Sequence, residues 1–424
     1  MGMASFQRIA EKLDREDALA GFRSKFRLPT NAAKAKTYLL GNSLGLQPRT
    51  TKAAMDRVLD QWQEYGVEAF FTGGDPWMTK QLELSGLMAP IVGALPIEVS
   101  IQDALTINLH LLFSSFYRPI GKRTRILCEA KVFPSDRYMM EAHVARMGLD
   151  PDVAIMELSP RPGEHVLRLE DIEEAITEHG DELALVFFGG VNYYTGQLLD
   201  IPAITQAAHE AGALAGFDLA HAAGNADLSL HDWNIDFAAW CNYKYLNGGP
   251  GAIGSLFVHE KHHASGIPRA AGWWGNDPST RFLMAKAFHP APGAAGWQVS
   301  TPAALLMAAL DASLRIFHDA GWERIRSKRQ SLVSYLREGL ADLMQRHPGA
   351  MQCLTPEDTE ACQVSLFFPE RGKEIFSALT EKGIMADWRE PGVIRIAPVP
   401  LYNTHMEVFD LYECLDRVLS SMST

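Results

Sequence analysis

The sequence lacks an excess of basic residues and lacks any long apolar run. Its 424 residues include 39 lysines and arginines against 51 aspartates and glutamates, which gives a formal net charge of −12. Nucleic acids and anionic membrane surfaces select for the opposite balance, so neither is expected as a partner. No stretch approaches the ~18 apolar residues of a membrane helix. The first residues also lack the apolar centre of a signal peptide, which predicts a cytoplasmic protein.

Cysteine is scarce and unpatterned. The five cysteines are an odd number, contain no C-x-x-C pair, and stand at Cys128, Cys241, Cys353, Cys362 and Cys414. A disulfide framework or a zinc ribbon needs closely spaced pairs. We therefore expect free thiols in a reducing compartment and no metal.

The chain from 101 to 258 alternates helical stretches with short, continuous apolar runs. Runs of that kind are typical of strands covered by helices on both faces, so they predict an α/β fold with a mostly parallel sheet. After residue 300 the pattern changes to long helices followed by short strands and helices, which indicates α+β structure. We therefore predict a large domain over 45–300 and a smaller α+β domain formed by 301–424 together with 1–44.

Two helix ends can also be predicted. The amphipathic pattern at the start of the chain predicts a helix that ends near Leu28 and Pro29. Thr301 followed by Pro302 predicts the start of a helix that runs to about Asp319, with the threonine as its cap.

Three short motifs match catalytic patterns without the context that each requires. Residues 249–254 fit the dinucleotide pattern G-x-G-x-x-G, but a strand rather than a helix follows them. Residues 41–45 fit G-x-S-x-G, yet only about forty residues precede Ser43, too few for an α/β-hydrolase sheet. Residues 259–263 fit H-E-x-x-H, but the stretch reaches Gly266 before a zinc-binding helix could form. A zinc hydrolase using His259 and His263 is kept as an alternative.

A more coherent signal joins an aspartate to a lysine. Asp218 ends one apolar strand and Lys244 follows the next, so both are expected at the same edge of the sheet. A buried aspartate needs a cation, and a desolvated lysine becomes a nucleophile or base. The pair is either an ion pair or the acid and amine that pyridoxal phosphate (PLP) requires for its ring nitrogen and its aldehyde.

Around this pair the sequence resembles kynureninases, in one colinear order from about residue 5 to 420. The resemblance rests on the stretches 217–222, 231–233 and 240–247, and also on 41–46, 133–136, 194–198, 272–275 and 394–403. Kynureninases are PLP-dependent homodimers of the aspartate-aminotransferase-like fold, type I. They hydrolyse the Cβ–Cγ bond of L-kynurenine to anthranilate and L-alanine in tryptophan degradation, a route toward NAD biosynthesis.

The resemblance implies a role for each matching residue. Lys244 would hold the cofactor's aldehyde, Asp218 would face its ring nitrogen, and Tyr243 would reach the phosphate and protonate the product. Further cofactor contacts would come from Leu105, Thr106, Phe133, Pro134, Ser135, Asp136 and His221, with Trp273 and Thr301 supplied across a dimer interface. Arg395 would bind the substrate α-carboxylate, with Asn42 and Ser43 as further substrate contacts.

Some positions depart from the family pattern or allow a plainer interpretation. Gly189 stands where many members carry a hydroxyl residue. Thr301 and Val67 stand where animal-type enzymes carry Asn and His, which favours unsubstituted kynurenine over 3-hydroxykynurenine. Phe133 could be ordinary core, and Arg395 could lie on the surface. The competing functions are a desulfurase or aminotransferase of the same fold, the zinc hydrolase, and an inactive binding protein.

Overall fold

The computed structural model describes residues 2–31 and 34–422. Its α-helices over this part of the chain are α1 (Met3–Arg15), α2 (Thr51–Tyr65), α3 (Trp77–Val92), α4 (Leu105–Phe116), α5 (Pro134–Arg146), α6 (Pro151–Ala154), α7 (Leu169–His179), α8 (Ile201–Glu210), α9 (Ala304–Ala320), α10 (Trp322–Arg346), α11 (Gly372–Glu381) and α12 (His405–Met422). None of these helices is both long enough and apolar enough to cross a lipid bilayer.

The strands of the same residues are β1 (Phe26–Arg27), β2 (Thr30–Asn31), β3 (Lys34–Ala35), β4 (Thr37–Tyr38), β5 (Gln47–Pro48), β6 (Val99–Ile101), β7 (Arg125–Glu129), β8 (Ile155–Leu158), β9 (Leu183–Gly189), β10 (Leu214–Asp218), β11 (Phe237–Trp240), β12 (Ser255–Val258), β13 (Gln352–Cys353), β14 (Val364–Phe367), β15 (Ile384–Met385), β16 (Asp387–Arg389) and β17 (Val393–Ile396). They form one large sheet, one four-stranded sheet and several two-stranded pairs.

The large sheet has seven strands in the order β6-β12-β11-β10-β9-β7-β8. The strands from β11 to β8 pair in parallel, whereas β12 runs antiparallel to both of its neighbours. Successive residues point to opposite faces, so Phe187 and Phe188 enter different apolar clusters, one on each side of the sheet. The predicted α/β fold with a mostly parallel sheet is confirmed.

A third apolar cluster belongs to an antiparallel sheet in the order β13-β14-β17-β16. The cluster joins this sheet to α10, α11 and α12, and Phe6 of α1 also enters it. The helix α9, in contrast, packs against α2 and α3. The division of the chain at residues 44 and 300 stays a prediction.

Two predicted helix ends are wrong. The first helix ends at Arg15, and a 3-10 turn over Ala20–Lys25 follows it, because the side chain of Asp17 accepts a hydrogen bond from the Leu19 amide at 2.8 Å and turns the chain. Thr301 caps nothing, because the backbone stays extended through Ala303 (φ −75°, ψ 101°) and α9 begins only at Ala304.

Candidate functional site

A cavity of about 310 Å³ lies at the edge of the central sheet where β7, β9 and β10 end. In parallel sheets this edge forms the crevice that binds ligands. The cavity is lined by most of the predicted cofactor residues, namely Leu105, Thr106, Phe133, Ser135, Asp136, Asp218, His221, Tyr243 and Lys244. The structure therefore brings together residues that are up to 139 positions apart in the sequence (244 − 105 = 139).

Asp218 and Lys244 both reach this cavity. Asp218 is the last residue of β10, and its Oδ1 accepts a hydrogen bond from the Ala220 amide at 2.7 Å. Lys244 follows β11, and its Nζ lies 5.8 Å from the centre of the Tyr243 ring. Among the described residues no carboxylate forms an ion pair with Lys244, so the simple Asp218–Lys244 ion pair is not what the structure contains.

Two further carboxyl groups lie beside Asp218. Asp136 is 2% exposed and Glu129 is 5% exposed, and both line the cavity. Burial raises the pKa of Glu129 to about 7, even though Asn192 donates a hydrogen bond to it at 2.9 Å. Burial and the neighbouring Asp218 also raise the pKa of Asp136. A cation placed next to Asp218 would relieve this crowding of carboxyl groups, and a protonated pyridine nitrogen is such a cation.

The start of α4 forms another part of the cavity wall. Leu105 and Thr106 form its first turn. No side chain caps this helix at Ala104, so the first amide groups have no partner within the helix. Such a terminus together with a threonine hydroxyl suits a phosphate dianion.

Three more side chains shape the space between these walls. Phe133 is 45% exposed at the start of α5, so it is not an ordinary core residue. Burial, followed by the charges of Lys244 and Arg395, lowers the pKa of His221, which keeps that ring neutral. Burial and the adjacent Cys241 thiol raise the pKa of Tyr243, so its hydroxyl keeps its proton.

The predicted substrate residues lie behind the cavity wall. Arg395 in β17 is 1% exposed, so it is not a surface residue, and its Nη1 donates to the carbonyl of Tyr193 at 2.6 Å. Tyr193 itself lines the cavity. Asn42 is buried with its Nδ2 3.5 Å from Gln363, and the Ser43 hydroxyl donates to Asp387 at 2.6 Å.

The remaining predicted residues do not line the cavity. Pro134 occupies the first turn of α5 and does not face the cavity. Trp273 is 47% exposed, Val67 is 71% exposed, and Thr301 is exposed. The prediction that Trp273 and Thr301 act across a dimer interface stays a prediction.

Sequence reasoning missed four polar residues around the site. Glu129 could have been found, because it ends an apolar strand in the same way as Asp218 does. Tyr193, Gln363 and Asp387 carry no such signal, since they reach the site through hydrogen bonds between distant segments.

The histidine motif has no catalytic geometry. Residues 260–262 form one 3-10 turn, and His259 and His263 donate through Nε2 to the carbonyls of His231 and Val258. Glu98 lies close to His231 and His259, but those two rings stack at 8°. Both ring nitrogens of His259 are already used in hydrogen bonds, since Nδ1 accepts from the Lys261 amide at 3.2 Å and Nε2 lies 3.2 Å from the His231 carbonyl.

Sequence comparisons with known proteins agree on one family. Residues 325–415 match the family model of the kynureninase C-terminal domain. A kynureninase of Flavobacterium psychrophilum is 47% identical over 412 residues, which cover 96% of this chain and 97% of that protein. A kynureninase of Myxococcus xanthus is 47% identical over 412 residues, with 96% of each chain covered.

Solved structures of lower identity share the fold. The C-DES mutant with glycine covalently linked to its PLP cofactor matches with a TM-score of 0.77 and 20% identity, covering 93% of this chain and 98% of that one. The cysteine desulfurase CsdA of Escherichia coli matches with a TM-score of 0.75 and 18% identity, covering 95% and 98%. Since the identity to the kynureninases extends over nearly the whole length of both chains, this chain belongs to the kynureninase family.

Proposed function

We propose that the cavity at the sheet edge is where this chain carries out the reaction of its family. That reaction is the PLP-dependent hydrolysis of the Cβ–Cγ bond of L-kynurenine, which gives anthranilate and L-alanine. The observation that carries the proposal is that Asp218 and Lys244, which follow adjacent strands, line one cavity together with a helix N-terminus.

The residues around the cavity fit each part of PLP. The Lys244 amine would hold the aldehyde, Asp218 would face the ring nitrogen, and the first turn of α4 with Thr106 would hold the phosphate. Phe133, Ser135, Asp136 and His221 would complete the cofactor contacts. When bound, the cofactor supplies an electron-accepting ring for the bonds of the amino acid that break.

The protein's own part is to move protons and to hold the substrate. The Lys244 amine is placed to remove the α-proton, since its Nζ is not held in an ion pair among the described residues. The Tyr243 hydroxyl, which keeps its proton because burial raises its pKa, is the acid for the β-carbon of the departing alanine. Arg395 would bind the α-carboxylate through its planar guanidinium, with Asn42 and Ser43 nearby.

We further propose that the substrate is kynurenine without a ring hydroxyl. Thr301 and Val67 offer no amide or imidazole for that hydroxyl at the two positions where animal-type enzymes carry them. A polar group on the ring that finds no partner costs free energy on binding.

We also propose a homodimer in a reducing cytoplasm. Trp273, Phe282, Leu283 and Met284 form an exposed apolar patch, in which the rings of Trp273 and Phe282 lie 5.4 Å apart. Exposed patches of this kind mark protein interfaces. The resemblance implies that Trp273 acts across subunits, so the partner for this patch would be a second copy of the chain. The free state of all the cysteines supports the reducing compartment.

A cysteine desulfurase of the same fold is the alternative that the structural neighbours raise. Such an enzyme needs a reactive thiolate near its cofactor. Four of the five cysteines here are buried, and burial raises the pKa of every one of them, including Cys353, which is partly accessible. The thiols therefore do not favour desulfuration.

The deciding experiment supplies the PLP-loaded protein with either L-kynurenine or L-cysteine. We expect anthranilate fluorescence and an equal amount of L-alanine from kynurenine, and no sulfide from cysteine. The variant Lys244→Ala should lose this turnover, whereas Lys52→Ala, on an exposed part of α2, should keep it. Sulfide release, or anthranilate formation by the Lys244 variant, would refute the proposal.

A further inference from the structure

Arg395 forms a hydrogen bond with an aspartate, Asp387, on the neighbouring strand. Strands β16 and β17 pair antiparallel, and the register places Asp387 directly opposite Arg395. The Asp387 Oδ2 accepts hydrogen bonds from Arg395 Nη2 and, at 2.6 Å, from Ser43. Arg389 Nη2 lies 3.4 Å from the same oxygen. Asp387 thus joins the turn at residues 41–45 to the arginine that is proposed to bind the substrate.

The guanidinium is fixed at two of its three nitrogens. Nη2 bonds Asp387, and Nη1 bonds the carbonyl of Tyr193. The third nitrogen, Nε, is buried and has no hydrogen-bond partner in the described part of the chain. A buried donor without an acceptor is unfavourable, and a carboxylate of a bound substrate is an acceptor that would satisfy it.

We propose that Asp387 is a positioning residue for the substrate carboxylate. Together with the Tyr193 carbonyl it fixes the plane of the Arg395 guanidinium, and Nε–H is the donor that no described residue uses. The side chains are 2% exposed at Arg395 and 11% exposed at Asp387, so the pair is held away from water, where charge-assisted bonds are strong. This inference rests on the proposed function, because it takes Arg395 as the carboxylate site.

The test compares a ligand that has a carboxylate with one that lacks it. The ligands are L-kynurenine as substrate and kynuramine, the same molecule without the carboxylate, as competitive inhibitor. In Asp387→Asn we expect KM for kynurenine to rise about tenfold while kcat changes less than about threefold, because ground-state binding is lost. The inhibition constant of kynuramine should stay within about twofold.

Controls separate positioning from damage to the fold. Asp56→Asn, a matched change on exposed α2, should leave both constants unchanged. Asp387→Glu keeps the charge but shifts the carboxylate, so its KM for kynurenine should lie between those of wild type and Asp387→Asn. This variant replaces Asp387→Asn in the test if the asparagine variant does not fold. An equal weakening of both ligands, an unchanged KM or a lower KM would overturn the role of Asp387.

The variant Arg395→Lys distinguishes failure of this inference from failure of the proposed function. If KM for kynurenine rises in Arg395→Lys but not in Asp387→Asn, only the positioning role is wrong. If Arg395→Lys leaves KM unchanged, the carboxylate binds elsewhere and the proposed site itself is wrong.

Discussion

At the scale of single residues, the cavity is organised by an imbalance of charge. Glu129, Asp136 and Asp218 lie close together in its lining, and Lys244 lines the same cavity without a carboxylate partner among the described residues. In the cofactor-free protein this arrangement is unfavourable, since neighbouring carboxyl groups resist ionisation. This crowding supports the proposal that the protonated ring nitrogen of the cofactor lies beside Asp218.

Because of this imbalance, we expect the stability of the cofactor-free protein to fall as the pH rises. The pKa of Glu129 is raised from 4.5 to about 7, so the folded state holds its proton more firmly than the unfolded chain does. The stability that this proton contributes is fully present below pH 4.5. It is lost, by up to roughly 3 kcal/mol, as the pH rises through about 7. Glu129→Gln has no proton to lose, so it should be more stable than wild type at pH 8 but not at pH 4.

Urea unfolding of the two cofactor-free proteins at pH 4 and pH 8 measures this difference. Glu173→Gln, on the exposed face of α7, is the matched control and should follow wild type. Equal losses of stability for Glu129→Gln and wild type between the two pH values would show that Glu129 is ionised without penalty.

How far the sequence predicts a site residue depends on how local its signal is. Asp218 and Lys244 were predicted because each stands at the end of an apolar strand, where a charge is conspicuous. Asp387 was not predicted, because its importance comes only from the register of β16 against β17 and from a turn more than 300 residues away. The first kind of signal is contained in a short segment, whereas the second exists only in the folded chain.

At the scale of elements, the start of α4 carries the proposed phosphate site. The helix presents uncapped amide groups, and Thr106 adds a hydroxyl in the same turn. A hydrogen bond to a charged group contributes about 1.5–3 kcal/mol, so Thr106→Ala should weaken PLP binding roughly tenfold to a hundredfold. The amide groups and the helix dipole remain, so binding should not be abolished.

Titration of the cofactor-free variants with PLP, followed by absorbance, gives the dissociation constants. Thr177→Ala removes a hydroxyl from the exposed side of α7, where it bonds its own helix, and should bind as wild type does. Unaltered affinity in Thr106→Ala would place the phosphate away from α4.

The types of the elements were predicted better than their ends. The helix predicted to about Leu28 stops at Arg15 because one side chain, Asp17, forms a local bond that competes with the helical pattern. The helix after Pro302 begins two residues late, at Ala304, because Ala303 is extended. The exact end of a helix thus depends on single contacts, which cannot be predicted from an amphipathic pattern.

At the scale of the whole molecule, the sheet order and the proposed dimer depend on long-range contacts. Apolar runs predicted the strands, but they did not predict that β12 would lie antiparallel between β6 and β11. Strands buried on both faces look alike in sequence, so pairing is set by the whole fold. The exposed patch of Trp273, Phe282, Leu283 and Met284 likewise becomes evident only when the chain is folded.

The proposed dimer can be disrupted through this patch. Leu283 is 73% exposed, so Leu283→Glu should leave the fold of the subunit intact while placing a charge in the interface. We expect sedimentation to show a dimer for wild type and a mainly monomeric variant with reduced turnover, because Trp273 and Thr301 would no longer reach a partner's cavity. Exposed Leu82→Glu, on α3, is the control. A wild-type monomer with full activity would contradict the dimer.

The central claim is that the Lys244 amine carries the cofactor, and borohydride reduction tests it most directly. Reduction makes the bond between an amine and the cofactor's aldehyde permanent, and mass spectrometry of the digested protein then locates the modified lysine. The account predicts one modified peptide, containing Lys244, and its disappearance in Lys244→Ala. A modification on another lysine, with Lys244 unmodified, would contradict the account.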